Sequence, residues 1–439
     1  MKSDRTVPVA IVGGGASGTI LAAQLARRGI DSVLIDGSGQ AGHGIAYSTK
    51  ESAHLLNVRA ESMSALADDP DHFARRFEAE GGDRRGFAER RLFGRYLRDL
   101  LEHAMGIGHA EVDHSAAVEA RREAGIWHVA LSDGRVAKAR ALVLAVGNQE
   151  PATLEAFAGA GARYLNNPWG DEARAALGDG VEHANSVLLV GTGLTMIDLA
   201  LSLDAGGYRG RVVALSRRGQ IPRSHGDFAA APVDLADVPQ GSVSRLWRWL
   251  RRRSAEVGWR AAIDSLRPHS HALWQGLGHD EQRRFLRHAR PWWDVHRHRI
   301  APQVAETIHG MIAEGRLEIV AGRIVAANVA HSGLEVEICR RGARETAVEH
   351  FDYVFNCTGP LHAIERTRNS LLRGLMDRNE VGPDPLGIGL AAGPDSRVGT
   401  RLWALGPLTK GRYWEITAVP DIRGQAAAVA DNIARELDE

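Results

Sequence analysis

The chain has 439 residues, of which 25% are charged, and its formal net charge is zero. This length predicts two or three domains, and the neutral balance argues against a partner such as nucleic acid or an anionic membrane. The first residues do not resemble a signal peptide, and no apolar run reaches membrane-spanning length. Only two cysteines occur, in separate apolar runs, so we expect a cytoplasmic protein.

The first predicted element is a dinucleotide-binding unit. The apolar strand VPVAIVG leads into Gly13, Gly15 and Gly18 in GxGxxG spacing, and then into the helix TILAAQLARRG, with Ser17 as a further candidate contact. Such glycines allow a tight turn, close approach of the backbone to a pyrophosphate and close helix packing, and the helix N-terminus attracts the anion. The next strand ends at Asp36, near the spacing of about 20 residues expected for a ribose-binding acid.

The segment that follows favours FAD over a nicotinamide nucleotide in this unit. QAGHGIAYSTKESAHLLNVRAESMSAL is long and loop-like, and FAD needs extra chain along its ribityl group and ring. Residues 113–147 predict a meander with turns at 123–125 and 132–134. The meander ends at Gly147, where the backbone can pass close to a nucleotide.

A second, less regular dinucleotide-binding unit begins at residues 187–203, VLLVGTGLTMIDLALSL. Gly191 and Gly193 are kept and Thr195 follows, but Met196 replaces the third glycine. A large residue there should push the helix away from the strand. The strand FDYVFNCTGP, which ends near Gly359, closes this unit as LVLAVGNQEP closes the first.

The second unit carries no acid at the end of its next strand, RVVALSRRG. Ser216, Arg217 and Arg218 stand there instead. A hydroxyl and guanidiniums would bind a ribose 2′-phosphate that an acid would repel, which favours NADPH over NADH. The alternative is that Arg217 and Arg218 are a pair of solvated side chains on a loop and bind no phosphate.

A helical subdomain is predicted within the second unit, at about residues 240–302. Val243, Leu246, Trp247 and Leu250 follow helical spacing, and six of the ten tryptophans lie between Trp247 and Trp293. Within it, RPWWDVHRHRIAP predicts a helix or turn that is ion-paired through Asp294, with no metal site. Trp293, His296 and Arg297 in this stretch could instead line the pocket of an anionic or planar substrate. The turn IPRSHGD, with Arg223 and His225, is placed near that pocket or near the NADPH phosphate.

At this point the sequence resembles the flavoproteins with two dinucleotide-binding domains. It is most similar to a bacterial FAD/NAD(P)-binding family described as urate-hydroxylase-like, and it is also similar to class B flavoprotein monooxygenases. The similar stretches are GIAYSTKESAHLLNVRAESMSAL, ERRLFGRYL, VLLVGTGLTMIDLALSL, RPWWDVHRHRIAP, VFNCTGP and LGPLTKGRYWEITAVPDIRGQA. Arg59 departs from the family pattern, which has proline there.

The resemblance implies an α/β fold with two Rossmann-like domains, one for FAD and one for NADPH. We expect a discontinuous FAD-binding domain over residues 1–165 and 352–439. Residues 166–351 then form the NAD(P)H-binding domain with its helical insert. Disulfide reductases share this plan but need a redox cysteine pair beside the flavin, which Cys339 and Cys357 do not supply.

The resemblance also assigns site residues. Asn57 is the candidate catalytic residue, because related monooxygenases use an asparagine near the flavin ring; an asparagine that caps its own turn is the alternative. A helix that begins near Pro420 and Asp421 would aim its N-terminus at the flavin. Further cofactor contacts are expected at Tyr47, His54, Leu56, Gly406, Thr417, Ala418 and Val419, and substrate contacts at Trp293, His296, Arg297 and Trp414. Ordinary loop packing is the alternative for Tyr47 and His54, and a place in the apolar core is the alternative for Trp414.

The sequence therefore predicts an NADPH-dependent FAD monooxygenase that forms a flavin C4a-hydroperoxide and oxygenates a nitrogen, sulfur or ring carbon of a small molecule. Its partners would be that molecule and oxygen, with a homo-oligomer possible. One alternative is an NAD(P)H-dependent reductase that passes electrons to a quinone or a protein without inserting oxygen. Another is a flavin-bound scaffold or sensor whose insert binds a partner protein.

Overall fold

The computed structural model describes residues 5–181 and 183–438, which form two α/β units and a helical insert. The strands are β1 (Thr6–Val12), β2 (Ser32–Ile35), β3 (Ala110–Asp113), β4 (Ala117–Glu123), β5 (Ile126–Leu131), β6 (Val136–Leu144), β7 (Tyr164–Leu165), β8 (Ser186–Val190), β9 (Arg211–Ser216), β10 (Leu317–Val329), β11 (Leu334–Arg340), β12 (Ala347–Phe351), β13 (Tyr353–Asn356), β14 (Arg397–Gly399) and β15 (Leu402–Ala404).

The α-helices lie between these strands and at the C-terminal end of the described chain. They are α1 (Ala16–Ala26), α2 (Gly44–Tyr47), α3 (His72–Ala79), α4 (Arg90–Gly106), α5 (Asp171–Ala175), α6 (Leu194–Ala205), α7 (Val243–Val257), α8 (Trp259–Leu266), α9 (Ser270–Gln275), α10 (His279–Arg284), α11 (Arg290–Arg297), α12 (Pro302–Ala313), α13 (Ser370–Asp377) and α14 (Val419–Asp438). Among the described residues, none of these helices is long and apolar enough to cross a membrane.

The first unit is a parallel sheet with an antiparallel meander on one strand. Its order is β14-β15-β6-β1-β2-β3, and β1 pairs in parallel with both β2 and β6. β4 and β5 extend from β6 as an antiparallel ribbon, which confirms the predicted meander. Helices α1, α4 and α14 share one apolar core on this sheet, with Leu25, Phe93 and Val429 fully buried. The C-terminal helix thus belongs to the same unit as the N-terminal strand.

The second unit repeats the parallel arrangement in a seven-stranded sheet. Its order is β12-β11-β10-β9-β8-β13-β7, with β8 paired in parallel to both β9 and β13. Strands β7 and β13 belong to this sheet because Val354 pairs with both Tyr164 and Leu188. The sheet therefore includes residues 164–165 and 353–356, which lie outside the range of 166–351 expected for the second domain. The predicted closing role of FDYVFNCTGP agrees with this pairing.

The insert between β9 and β10 is helical, as its apolar spacing predicts. α7 buries Val243 and Leu250 on one face. A separate small core holds this insert together, with Leu250, Ile263 and Trp293 among its buried members. The two free cysteines, Cys339 and Cys357, are both buried. The insert is thus a subdomain with its own apolar core, attached to the second unit.

Candidate cofactor site

The first glycine turn has the backbone that a bound pyrophosphate requires. Gly13 has φ +107°, and a Cβ there would lie 2.4 Å from the Ala145 carbonyl oxygen at the end of β6. A Cβ on Gly18 would lie 2.0 Å from the Gly13 carbonyl oxygen. Only glycine tolerates these approaches, so the turn brings free N–H groups of α1 to the edge of the sheet.

Asp36 closes this turn from the end of β2. Its Oδ2 accepts a hydrogen bond from Gly14 N at 2.5 Å, and its Oδ1 accepts one from Ser38 N at 2.8 Å. The carboxylate is 9% exposed. Asp36 therefore lies beside the glycine turn, where the sequence predicted a ribose-binding acid.

The second glycine turn repeats this geometry almost atom for atom. Gly191 has φ +119°, and a Cβ there would lie 2.2 Å from the Cys357 carbonyl oxygen at the end of β13. Gly191 N donates to Leu215 O at 2.7 Å, as Gly13 N donates to Ile35 O at 2.9 Å. Met196, at the third position, is fully buried in the core. Because a Cβ cannot approach as Gly18 does, we infer that α6 packs farther from its turn than α1.

Ser216 occupies the place in the second turn that Asp36 has in the first. Its hydroxyl lies 2.8 Å from Thr192 Oγ1 and accepts a hydrogen bond from Gly219 N at 3.0 Å. The hydroxyl is thus engaged in shaping the turn, which differs from its expected contact with a phosphate. Among the described residues, neither Arg217 nor Arg218 forms a hydrogen bond or ion pair through its side chain. The two guanidiniums remain available for an anion.

The loop that follows the first turn packs against the helix that follows the second. Leu55 contacts the core of the second unit, and Asn57 lines a small cavity together with Leu194 at the start of α6. Within the described part of the chain, the Asn57 side-chain amide has no hydrogen bond, so it can serve a ligand. Leu56 and Tyr47 pack on the first core, and burial raises the pKa of Tyr47 to about 12. Asn57 thus lies close to the second glycine turn.

His54 joins the two units and does not face a cofactor turn. Its Nδ1 lies 2.8 Å from Thr49 Oγ1, and its Nε2 lies 3.0 Å from the Asp198 carbonyl oxygen and 3.1 Å from Ser202 Oγ. The side chain is 2% exposed. Both ring nitrogens therefore have hydrogen-bond partners within the protein, so neither is free for the predicted contact with a cofactor.

A buried ion pair beside His54 strengthens this junction, and no local sequence pattern predicts it. Arg90 Nη1 and Nη2 donate to the two carboxylate oxygens of Asp198 at 2.8 Å and 3.0 Å, and Arg90 Nε donates to Leu55 O at 3.1 Å. The side chains are 16% and 7% exposed. The bidentate pair fixes α4 of the first unit to α6 of the second.

The unusual Arg59 and the turn at His225 form a second junction. Arg59 Nη2 lies 2.9 Å from Asp227 Oδ1, and the guanidinium lies over the Phe87 ring. His225 Nε2 lies 3.0 Å from Asn57 O, and burial lowers the pKa of His225 to about 4. Arg59 thus bonds across the units, and neutral His225 holds the backbone of the Asn57 loop.

The C-terminal segment returns to the first glycine turn. Gly406, with φ +62°, lies so close to Ser17 that a Cβ would come within 2.7 Å of its Oγ. Helix α14 begins at Val419 with Pro420 in its first turn, as predicted. Thr417 is exposed and Ala418 is half-buried just before this helix. Thr417 N already donates to Glu415 O at 2.7 Å, so Thr417 lacks the free backbone donor that the sequence predicted, whereas Ala418 lies where a donor at the helix N-terminus is expected.

Two of the predicted substrate residues instead hold a buried carboxylate. Trp293 Nε1 donates to Glu415 Oε1 at 2.6 Å, and Arg297 Nε donates to Glu415 Oε2 at 2.8 Å. Burial alone would raise the pKa of Glu415, but Arg297 and His298 hold it below its usual value. These contacts attach the insert to the C-terminal segment, because a buried carboxylate needs both a cation and a donor.

His296 and Trp414 also have protein partners. His296 Nδ1 lies 2.8 Å from the Trp292 carbonyl oxygen, and its ring meets Trp259 edge to face. Trp414 stacks on Trp274 at 5.0 Å between ring centres, with the Arg290 guanidinium 5.7 Å from its ring. Asp294 accepts from Arg290 Nε at 3.1 Å, as the predicted ion-paired helix requires. Among the described residues, no group of three His, Cys, Asp or Glu side chains could hold a metal ion.

Comparisons with known proteins agree with this geometry. Residues 10–149 match a protein family described as FAD-NAD(P)-binding. A comparison with curated proteins gives no match. The fold is similar to that of ornithine hydroxylase from Pseudomonas aeruginosa, with 18% identity, a TM-score of 0.68, and 99% and 100% of the two chains covered.

Two further structures are similar over almost the whole chain. L-lysine 6-monooxygenase from Pseudomonas syringae is 18% identical, with a TM-score of 0.68 and coverage of 98% and 99%. Ornithine N-hydroxylase from Kutzneria sp. 744, described with reduced FAD, NADP⁺ and L-ornithine, is 17% identical, with a TM-score of 0.65 and coverage of 98% and 100%. None of these three names refers to urate. Residues 10–149 are therefore similar to the FAD-NAD(P)-binding family, and the overall fold is similar to the folds of these three enzymes.

Proposed function

We propose that the protein is an NADPH-dependent FAD monooxygenase that hydroxylates a small molecule at nitrogen, sulfur or a ring carbon. One observation carries the proposal: Asn57 of the first unit lines the same small cavity as Leu194, which directly follows the second glycine turn. Two nucleotides held by the two turns would therefore meet at this junction. The names of the similar structures, which are hydroxylases of ornithine and lysine, support the same reaction class.

The first unit would hold FAD by its backbone. The glycine turn and the N-terminus of α1 offer N–H groups to the pyrophosphate. Asp36 would accept from a ribose hydroxyl, because its carboxylate can accept more bonds than Gly14 N and the Ser38 backbone and side chain provide. Gly13 and Gly18 stand where a Cβ would meet backbone atoms at the turn, so the residues fit the cofactor.

The second unit would hold NADPH. Its glycine turn serves the pyrophosphate, and Arg217 and Arg218 would bind the 2′-phosphate beside Ser216. Ser216 contributes by being neutral, since a carboxylate at this position would repel the phosphate. NADPH is therefore favoured over NADH.

Bound FAD would supply the redox chemistry, accepting a hydride and activating oxygen. Ala418, before the 20-residue helix α14, would offer a backbone donor to the flavin pyrimidine, and the helix would offer its positive end. The free amide of Asn57 would donate to the nicotinamide carboxamide or to an oxygen at the flavin. The junction made by His54, Arg90 and Asp198 would keep the two sites in register.

The test is anaerobic reduction of the purified yellow protein by NADPH and by NADH, followed by measurement of products in air. We expect faster flavin reduction by NADPH and, with a substrate, less hydrogen peroxide formed for each NADPH consumed. Stoichiometric hydrogen peroxide with every substrate tried would favour the reductase alternative. A flavin that NADPH does not reduce would favour the scaffold alternative.

A further inference from the structure

Three basic side chains from distant parts of the sequence meet beside the insert. Arg290 begins α11, His362 follows β13, and Lys410 follows β15. Arg290 Nη2 lies 3.1 Å from His362 Nε2, and Lys410 Nζ donates to Asn148 Oδ1 at 3.3 Å. We refer to Arg290, His362 and Lys410 as the basic cluster.

The hydrogen bond to Arg290 determines the protonation of His362. A guanidinium has donors only, so His362 Nε2 must accept and the ring hydrogen lies on Nδ1. Burial and the neighbouring cations Arg290 and Lys410 lower the pKa of His362, so the ring is neutral near neutral pH. The basic cluster therefore holds two full positive charges and one neutral N–H donor.

Lys410 is a cation without a counterion. Within the described residues it forms no salt bridge, and the nearby carboxylate of Asp294 is already bonded to Arg290 Nε at 3.1 Å. Burial, followed by the Arg290 charge, lowers the pKa of Lys410 to about 8. A partly buried ammonium is more stable when a negative charge compensates it. Only four of the 54 basic residues are lysines, so this lysine stands out.

The basic cluster is open to a ligand. The side chains of Arg290 and Asp294 are 30% and 34% exposed. Asn148, the partner of Lys410, lines a cleft of about 420 Å³ whose wall also contains Arg366, Arg368 and Glu150, so this cleft lies beside the basic cluster and is not lined by it. The ring of Trp414 lies beneath the Arg290 guanidinium and offers a flat apolar wall. Two cations, a neutral donor and an aromatic wall suit a planar molecule that carries a carboxylate.

We propose that the basic cluster binds the carboxylate of a planar, anionic small molecule. That this molecule is the substrate rests on the proposed function, whereas the binding of an anion does not. The site would disfavour a ligand of net positive charge, because two cations face it and Asp294 is already paired. We therefore assign the anion site to Arg290, His362 and Lys410. The sequence predicted it at Trp293, His296 and Arg297.

The test uses calorimetric titration of the FAD-loaded protein with sodium benzoate and with benzamide, its neutral analogue. We expect benzoate to bind and benzamide to bind at least about tenfold more weakly, because a charge-assisted hydrogen bond is lost. Lys410→Gln and Arg290→Gln should each weaken benzoate by about tenfold or more. Lys138→Gln, in β6, is the matched control and should leave benzoate binding unchanged.

The pH dependence separates a charge effect from a change of shape. The charged and titratable groups that face Lys410 are Arg290, Asp294, His298 and His362. Burial lowers the pKa of both histidines, so Lys410 is the group among them that loses charge between about pH 7 and about pH 9.5. Benzoate affinity should therefore fall over this range in the natural protein, and Lys410→Arg should bind benzoate without that fall.

Four results would overturn the proposal. Equal binding of benzoate and benzamide, or no binding of benzoate, would exclude a carboxylate site. Unchanged benzoate binding by Lys410→Gln would place the anion elsewhere. Weaker binding of NADP⁺ or FAD by that variant, with benzoate unaffected, would assign the cluster to a cofactor phosphate. Anaerobic reduction by NADPH, measured on the same samples, shows separately whether the proposed function holds.

Discussion

The two glycine turns have nearly the same backbone but different side chains. Gly13 and Gly191 have φ values of +107° and +119°, and each lies against a carbonyl that ends its closing strand. At the end of the second strand, however, Asp36 in one turn corresponds to Ser216 in the other, and two arginines follow Ser216. The shared backbone suits what two nucleotides have in common, the pyrophosphate. The side chains that differ would then decide which nucleotide each turn binds.

The largest effects should come from adding a methyl group to either turn. Gly13→Ala would place a Cβ 2.4 Å from Ala145 O, so we expect protein purified without flavin. Gly191→Ala would place one 2.2 Å from Cys357 O, so we expect yellow protein that NADPH no longer reduces. Flavin absorbance and anaerobic reduction measure the two outcomes. Gly278→Ala is the control, because its added methyl group would meet no atom within 4 Å. If Gly191→Ala alone lost its flavin, FAD would have to be assigned to the second turn.

The junction between the turns can be tested through Asp198. Asp198→Asn would leave the buried Arg90 without its counterion and should lower the free energy of unfolding by about 3 kcal/mol. Asp204→Asn, on the same helix α6, removes an ion pair whose side chains are 27% and 24% exposed, and should cost about 1 kcal/mol or less. Urea unfolding measures both. Equal costs would contradict the view that the Arg90–Asp198 pair holds the two units together.

Removal of the two arginines should abolish the preference of the second turn for a nucleotide with a 2′-phosphate. Arg217→Ala with Arg218→Ala should raise the KM for NADPH about tenfold to a hundredfold, because charge-assisted hydrogen bonds are lost. The KM for NADH should change little. Steady-state kinetics with both nucleotides measures the difference, and Arg344→Ala, an exposed arginine between β11 and β12, is the control. An equal rise in the KM for NADPH and in the KM for NADH would exclude Arg217 and Arg218 as ligands of the 2′-phosphate.

Ser216→Asp would make the second turn resemble the first. The added carboxylate should repel the 2′-phosphate and shift preference toward NADH by about tenfold. Ser216→Asn, of similar shape but neutral, separates charge from size. If both variants change the NADPH-to-NADH ratio equally, the effect is due to the shape of the turn.

The smallest expected effect concerns His225, which supports the Asn57 loop. Burial lowers its pKa to about 4 in the folded protein, against about 6.5 when unfolded. Between these values the unfolded chain binds the extra proton, so stability falls as pH drops from about 6.5 toward 4. His225→Gln should lose less stability over this range, by thermal unfolding, than the natural protein or a control variant of the exposed His331. An equal loss would mean that His225 does not contribute.

The sequence was informative where the chemistry is local. The first glycine turn with Asp36, the meander and the amphipathic α7 all follow from short patterns, and the structure contains each of them. These features depend on residues within one strand–turn–helix unit or one face of one helix. The spacing of glycines and apolar residues therefore suffices to predict them.

Contacts between distant segments escaped prediction. Trp293 and Arg297 were expected at a substrate pocket, but they bond Glu415, more than a hundred residues away. His54 was expected at a cofactor, but it bonds α6 of the other unit. Such partners depend on how the two units pack, which no local pattern describes. Lys410 offered one usable signal, as one of four lysines in an arginine-rich chain.

We infer that the two turns hold FAD and NADPH close enough for hydride transfer. Anaerobic stopped-flow mixing of the FAD-loaded protein with NADPH tests it most directly. We predict rapid loss of the oxidised flavin absorbance in the natural protein, and loss of that reaction in Gly191→Ala while FAD stays bound. Flavin that remains oxidised in the natural protein, or that is reduced equally fast in the variant, would contradict the account.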